Sequence, residues 1–317
     1  MKRNQLPPHR TATYVLPKWK VVYVSVPKAA CTSLKWTIAG LQGENAQSFY
    51  RSLSREVTPA TTIHRRAKWR KTPTLHELSN DRLAEISPDN GWFLFTMTRH
   101  PTARLWSGWQ SKLLLREPYW VERFGDEEWM PRVPRSTDDV VEDFHRFVKS
   151  IGADPAQAVL RDRHFRQQQE LINIDAVPYS RIYDTSEFST FREDLVAHLR
   201  AQGWSGELVQ MRTNETPLQL IPRLLTRDVM TVLEDLYGDD YEKLGYDDLM
   251  PAKVADLEEY PSVAIDAVAM LTERAERIGM IATQAQERAA RLRQLKGRAA
   301  AVVPAGSRLR RVIRRFR

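Results

Sequence analysis

Residues 21–35, VVYVSVPKAACTSLK, constrain the fold of this chain more than any other stretch. A β-branched run stops at Pro27, Lys28 follows directly, and Cys31, Thr32 and Ser33 open a segment in which Leu34, Ile38 and Leu41 recur at helical spacing. The pattern predicts a strand, a tight loop and a helix start. Such a junction leaves backbone N–H groups unpaired at the positive end of the helix dipole, with hydroxyls and an ammonium beside them, and so suits a phosphate-like anion. It is not a Walker A loop: the glycines and the Lys-Ser/Thr pair are absent, and the lysine precedes the hydroxyls. An ordinary strand-to-helix turn with a solvated lysine is the alternative.

A second element decides between them. In residues 92–109, WFLFTMTRHPTARLWSGW, an apolar run predicts a buried strand with Arg99 at its C-terminal end, Pro101 breaks it, and a helix carries Arg104, Leu105 and Ser107. In open α/β sheets ligands lie beyond the carboxyl ends of the strands, where this reading puts both Lys28 and Arg99. Arg99 offers a planar fork for a phosphate and Ser107 a hydroxyl.

The stretches PKAACTSLK and TRHPTARLWSGW resemble the two nucleotide signatures of the sulfotransferases that use 3′-phosphoadenosine 5′-phosphosulfate (PAPS), in their carbohydrate sulfotransferase (family 2) form, approximately PKxGCTxxK and RxPxxRLxSxY. RDRHFRQQQELINID with YSRIYDTSEFSTFREDL, then RTNETP and DDYEKLGY, match in the expected order, so the resemblance covers residues 20–246. It implies an α/β fold, a P-loop-NTPase-like parallel sheet flanked by helices, with a C-terminal helical extension. It implies in-line sulfuryl transfer from PAPS, the co-substrate, to a hydroxyl of a carbohydrate or glycolipid acceptor, with no metal. Carried onto this chain, Lys28 would stabilise the bridging oxygen. Ala29, Ala30, Cys31, Thr32 and Ser33 would hold the 5′ end, with Lys35 one turn on. Arg99 and Ser107 would grip the 3′-phosphate, and Arg212 and Asn214 would close over the nucleotide.

There are departures. Ala30 stands where the family often has glycine, which matters only if that position needs positive φ or close backbone approach. His100 replaces an acid, Trp109 a tyrosine, and Gln167 a proline of the histidine motif. The paired cysteines of many secreted relatives are missing. A single cysteine, Cys31, rules out an intramolecular disulfide and a cysteine-based zinc site. With no apolar h-region after MKRNQLPPHR and no apolar run long enough to span a membrane, the expectation is a cytoplasmic protein, peripheral at the membrane if its tail binds there.

That tail holds the excess charge. Eleven of the 48 Lys and Arg residues, and none of the 40 Asp and Glu, follow Glu287, which leaves residues 1–287 at 37 − 40 = −3. No body-wide footprint for nucleic acid exists, and none is expected to bind specifically. In residues 308–317, Leu309, Val312, Ile313 and Phe316 share a helical face amid six arginines, the pattern of an anionic membrane-surface helix. A solvated terminus is the bland alternative.

Along the chain, residues 1–18 read as a weakly ordered lead, 19–250 as the catalytic domain, 262–297 as a long helix and 298–317 as the basic amphipathic tail. Within the domain, 44–73 reads as a polar surface segment near the acceptor, 74–87 as a helix and 119–136 as an irregular lid or loop. A helix capped by Thr137 follows, then a strand at 179–183, a helix at 186–201 stopped by Gly203, and another from Pro222 to Tyr237. In the long helix, Leu271, Ala275, Ile278, Ala282, Ala285, Ala289 and Leu292 make a thin packing seam, expected to lie on its own domain.

Histidine suits proton removal near neutral pH, and seven are present. His164, in RHFRQQQ, resembles the family's acceptor-side histidine and is the first candidate base, with His76 and His64 behind it. His76, His164 and Gln167 are also expected on the acceptor side. Trp69, Tyr119, Trp120 and Trp129 could stack on sugars, although aromatics more often fill cores. A P-loop-type kinase, a non-catalytic nucleotide or glycan binder and a membrane or nucleic-acid adaptor are the other classes.

Overall fold

The computed structural model describes residues 1–50, 58–208 and 216–302, with side chains to residue 298. Four strands, β1 (Thr13–Leu16), β2 (Val21–Val24), β3 (Phe93–Thr98) and β4 (Arg181–Asp184), form one sheet in sequence order. β2, β3 and β4 run parallel, with Val21 opposite Phe93 and Phe95 opposite Arg181. This is the expected parallel sheet flanked by helices, with one antiparallel strand added at its edge. β1 pairs antiparallel with β2, because Pro17–Trp19 and the left-handed Lys20 reverse the chain within four residues.

Ten helices surround the sheet among the described residues: α1 (Cys31–Gln42), α2 (Ala46–Tyr50), α3 (Asn80–Glu85), α4 (Pro101–Trp109), α5 (Pro118–Phe124), α6 (Thr137–Ala153), α7 (Gln168–Ile172), α8 (Phe188–Ala201), α9 (Arg227–Leu244) and α10 (Ser262–Val302). Strand side chains alternate. Tyr14, Tyr23, Phe95 and Tyr183 pack with Leu34 and Ile38 of α1 and with Phe191, Leu195 and Leu199 of α8. Val15, Val22 and Leu94 face the other way, onto Leu75, Leu83 and Ile86. A separate helical core joins α4, α5, α6 and α9 through Trp106, Trp109, Trp120, Phe144, Phe147 and Leu233.

Several local expectations are corrected. Residues 1–18 are pinned down: the Arg3 guanidinium donates to Asn80 Oδ1 and to the carbonyls of His76 and Leu78, the Met1 ammonium reaches the Ile86 carbonyl, and β1 lies within this stretch. The buried Leu6, Tyr14, Val15 and Leu16 anchor it despite its prolines. Residues 119–136 are no lid, since α5 lies there and Trp120, Phe124, Trp129 and Met130 are core. Within the expected 44–73 surface segment, the described residues 44–50 and 58–73 pack onto α1, burying Phe49, Ile63 and Trp69. The 74–87 helix is broken by Ser79, which caps α3, and α6 is capped by Ser136 instead of Thr137. α9 runs on past Gly238 through a kink at Tyr237 and stops at Gly245, whose φ of 71° is left-handed.

Candidate active site

The loop between β2 and α1 carries two residues in the left-handed region, Lys28 at φ 69° and Ala30 at φ 52°. Alternating handedness turns successive amides the same way and makes a concavity for an anion. Ala30 sits at the N-cap of α1 with no side-chain cap, so the first amides of the helix have no protein acceptor from that residue. Position 30 therefore does need positive φ, the condition under which an alanine there carries strain. Lys28 Nζ donates to Ser111 Oγ at 2.8 Å. Burial, then the Lys112 ammonium, lower the Lys28 pKa from 10.5 to about 7.

Farther along α1, Lys35 Nζ lies 2.8 Å from His64 Nδ1, and Thr32 Oγ1 lies 2.9 Å from His64 Nε2. A protonated Lys35 can only donate, so Nδ1 accepts and Nε2–H donates to Thr32. Burial and the Lys35 charge hold His64 well below its usual pKa, and burial lowers Lys35 to about 8.

Arg99 stands at the end of β3, its backbone locked by Gln168, whose amide accepts from Arg99 N–H at 3.0 Å and donates to its carbonyl at 2.8 Å. Asp240 of α9 accepts the backbone N–H groups of Gln168 and Gln169, both at 2.8 Å, and fixes that lock. Among the described residues the Arg99 guanidinium takes no hydrogen bond. Burial lowers its pKa, with Asp184 and Tyr246 opposing. Ser107 is buried on α4, two turns beyond Arg99. A π-helical turn, Gln110–Leu114, then extends α4 and presents Ser111 and Lys112. Lys112 pairs with Glu117. Burial would raise the Glu117 carboxyl, but Lys112, His164 and Lys28 together hold it low, so this pair shares its neighbourhood with both Lys28 and His164.

Residues 159–167 form the opposing wall. His164 donates its backbone N–H to Asp162 Oδ1 at 2.9 Å, and its Nδ1 lies 2.6 Å from the same oxygen. The Asp162 pKa is about 2: burial opposes ionisation, but the hydrogen bonds and charge of His164 outweigh it. An ionised carboxylate only accepts, so Nδ1 carries the proton and Nε2 a lone pair. Burial, then Lys112, lower His164 to about 4, leaving it neutral near pH 7. The ring packs edge-on against Trp120.

Arg104 ties the two walls. Fully buried on α4, it donates Nε to the Pro27 carbonyl at 3.1 Å and its two terminal nitrogens to the carbonyls of Arg166 and Arg163 at 2.8 and 2.7 Å. Gly108, one turn on, lets the histidine wall approach, since a Cβ there would lie 3.3 Å from the His164 carbonyl and 3.2 Å from Phe165.

Of the expected residues, the structure brings Lys28, Thr32, Lys35, His64 and His164 into one buried cationic cluster around Lys112. His76 lies elsewhere among its described contacts, with Arg3 and Arg10 as its charged neighbours. Gln167 is turned toward α9: its amide donates to the Leu236 carbonyl and accepts from Gln169, because the short helix α7 starts there. Trp69, Trp120 and Trp129 are core, and of the four suggested aromatics Tyr119 alone is exposed. Arg212, Asn214 and residues 308–317 lie outside the described residues.

A comparison with protein-family models matches residues 11–247 to one described as the sulfotransferase family. The chain belongs to the sulfotransferase family. No curated protein and no solved structure matched it. The match runs from just before β1 to just past Gly245 and does not extend over α10. Sequence reasoning had missed Asp162, Ser111, Lys112, Glu117 and the Arg104 tie. The spacing of Asp162 and His164, two apart in one loop, could have pointed to the first; Lys112 and Glu117, five apart across a π turn, match no regular helical pair.

Proposed function

We propose that this sulfotransferase takes PAPS as donor and a hydroxyl of a carbohydrate or glycolipid as acceptor, with His164 as general base. The observation that carries the reading is the Asp162–His164 pair: a neutral imidazole with Nδ1–H held by a carboxylate and a lone pair at Nε2, in the crevice that also holds Lys28 and Lys112.

In this reading the acceptor oxygen forms a bond to sulfur as the bond from sulfur to the bridging oxygen breaks, and the hydroxyl proton passes to His164 Nε2. Asp162 keeps the correct tautomer and stabilises the imidazolium that results. Lys28 faces the bridging oxygen, where negative charge accumulates, and Lys112 faces the sulfuryl oxygens. The loop amides and hydroxyls from Ala29 to Ser33, with Lys35, hold the 5′-phosphate, while Arg99 and Ser107 take the 3′-phosphate. The residues fit such a donor because the crevice is rich in cations, Arg99 has an uncommitted fork, and Lys28 has only a hydroxyl to leave. His64 is less suited as base, since both its ring nitrogens are engaged.

The carbohydrate acceptor rests on the likeness of the two nucleotide signatures to the carbohydrate branch. A transfer screen with sulfate-labelled donor against sugar, glycolipid and simple alcohol hydroxyls tests it. Label in sugars or glycolipids, absent with His164→Ala, is the expected result; transfer confined to simple alcohols or phenols would overturn the acceptor class.

A further inference from the structure

α10 leaves the body part-way along its length. Its first half is seated: Ile265, Val268 and Ala275 are buried, the Thr272 hydroxyl donates to the Leu114 carbonyl at 3.0 Å, Arg116 pairs with Glu276 at 3.0 Å, and Gly279 lies so near Pro118 that a Cβ would come within 2.8 Å of the ring. Farther out the helix is bare. Every residue from 290 to 298 is exposed.

That bare half carries a row of aliphatic side chains. Ile278, Ile281, Ala285, Leu292 and Leu295 follow three-, four- and seven-residue steps and so share one face. Ile281, Leu292 and Leu295 are 53, 57 and 52% exposed, a high value for three large aliphatics in line. From Arg288 onward the charge has one sign: Arg288, Arg291, Arg293, Lys296 and Arg298 follow Glu287 with no acid among them.

We propose that the distal half of α10, from Ile278 to Arg298, docks on an anionic lipid surface, with Ile281, Leu292 and Leu295 entering the headgroup boundary and the basic side chains on the lipid phosphates and carboxylates. Two other occupants fit less well. A second copy packed in parallel through this seam would bring the acid-free ends from Arg288 to Arg298 together, and the same seven-residue register puts Arg274 and Arg288 inside the seam. At a lipid boundary those arginines extend to the headgroups while their stems cover apolar surface. Nucleic acid would use the cations but leave the aliphatic row without a role. The inference does not depend on the identity of donor or acceptor.

Co-sedimentation of the full chain with phosphatidylcholine vesicles, with and without phosphatidylserine, tests it. The chain should bind the anionic vesicles in a salt-sensitive way and ignore the neutral ones. Leu292→Ser with Leu295→Ser should cut partitioning at least about tenfold with unchanged thermal stability, because both side chains are exposed. Arg291→Ala with Arg293→Ala should cut it by roughly 25-fold, about fivefold for each charge. Anionic binding that survives the double serine change would transfer the role to another part of the chain and overturn the proposal. So would failure to bind anionic vesicles, a dimer in light scattering that the serine change dissolves, or tighter binding to duplex DNA than to the vesicles.

Discussion

One carboxylate oxygen of Asp162 accepts two bonds from His164, from the backbone N–H at 2.9 Å and from ring Nδ1 at 2.6 Å. The aspartate therefore fixes both the place and the tautomer of the ring. His164→Ala should lower kcat by about 10²–10⁴-fold while donor affinity holds. Asp162→Asn should lower kcat by at least about tenfold, since an amide can present N–H instead of an acceptor and turn the ring over. Full turnover in Asp162→Asn would detach the pair from catalysis.

The lowered pKa values of His164 and Lys28 set a pH profile. His164 must be neutral and Lys28 charged, so kcat/KM, which reports the free enzyme, should rise through about pH 4 and fall through about pH 7. Bound donor anions hold the proton on Lys28, so the falling limb of kcat should lie at higher pH. Lys28→Arg should abolish that limb, because guanidinium stays charged. For stability the sign is the reverse of the usual lysine case: the folded pKa lies below the unfolded one, so the unfolded chain binds more protons. Ligand-free stability should thus rise between about pH 7 and 10.5 on account of Lys28. A kcat/KM that is flat from pH 6 to 9 would contradict the assignment.

Arg99 has a fork with no hydrogen-bond partner among the described residues and a backbone locked by Gln168. Thermal shift should be far larger with 3′-phosphoadenosine 5′-phosphate than with adenosine 5′-monophosphate, and Arg99→Ala should remove most of the difference. Equal shifts with both nucleotides would show that the 3′-phosphate finds no partner.

Ala30 occupies left-handed space at φ 52°, where its Cβ is a liability. Ala30→Gly should stabilise the fold by about 0.5–1 kcal/mol, the relief of strain exceeding the added freedom of the unfolded chain. Chemical denaturation measures it, and a loss of stability would mean that the methyl packs well enough to outweigh its strain.

Much of this site is legible in the sequence because prolines mark its edges. Pro27 ends the strand before the donor loop and Pro101 starts α4, so β2, β3 and the two helix starts fall where local chemistry puts them. β1 is not legible locally because a four-residue strand gives too short a period, and its identity depends on pairing with β2. Trp69, Trp120 and Trp129 were offered to sugars, but burial is decided by what packs over them, which local sequence does not encode. The seam of α10 was expected to be covered. Ala275 is, whereas Leu271 and Ile278, on either side of it along the chain, remain open. The Lys112–Glu117 pair required the π turn, an irregularity with no pattern of its own.

The three bonds of Arg104 all end on main-chain carbonyls, those of Pro27, Arg163 and Arg166. Main-chain oxygens are indifferent to the side chains they carry. Positions 163 and 166 can therefore change identity without loosening the link between the wall that holds the lysine and the wall that holds the histidine. The alignment of lysine against histidine that the proposed reading needs is thus kept by one buried guanidinium, whatever half-buried side chains those two positions carry.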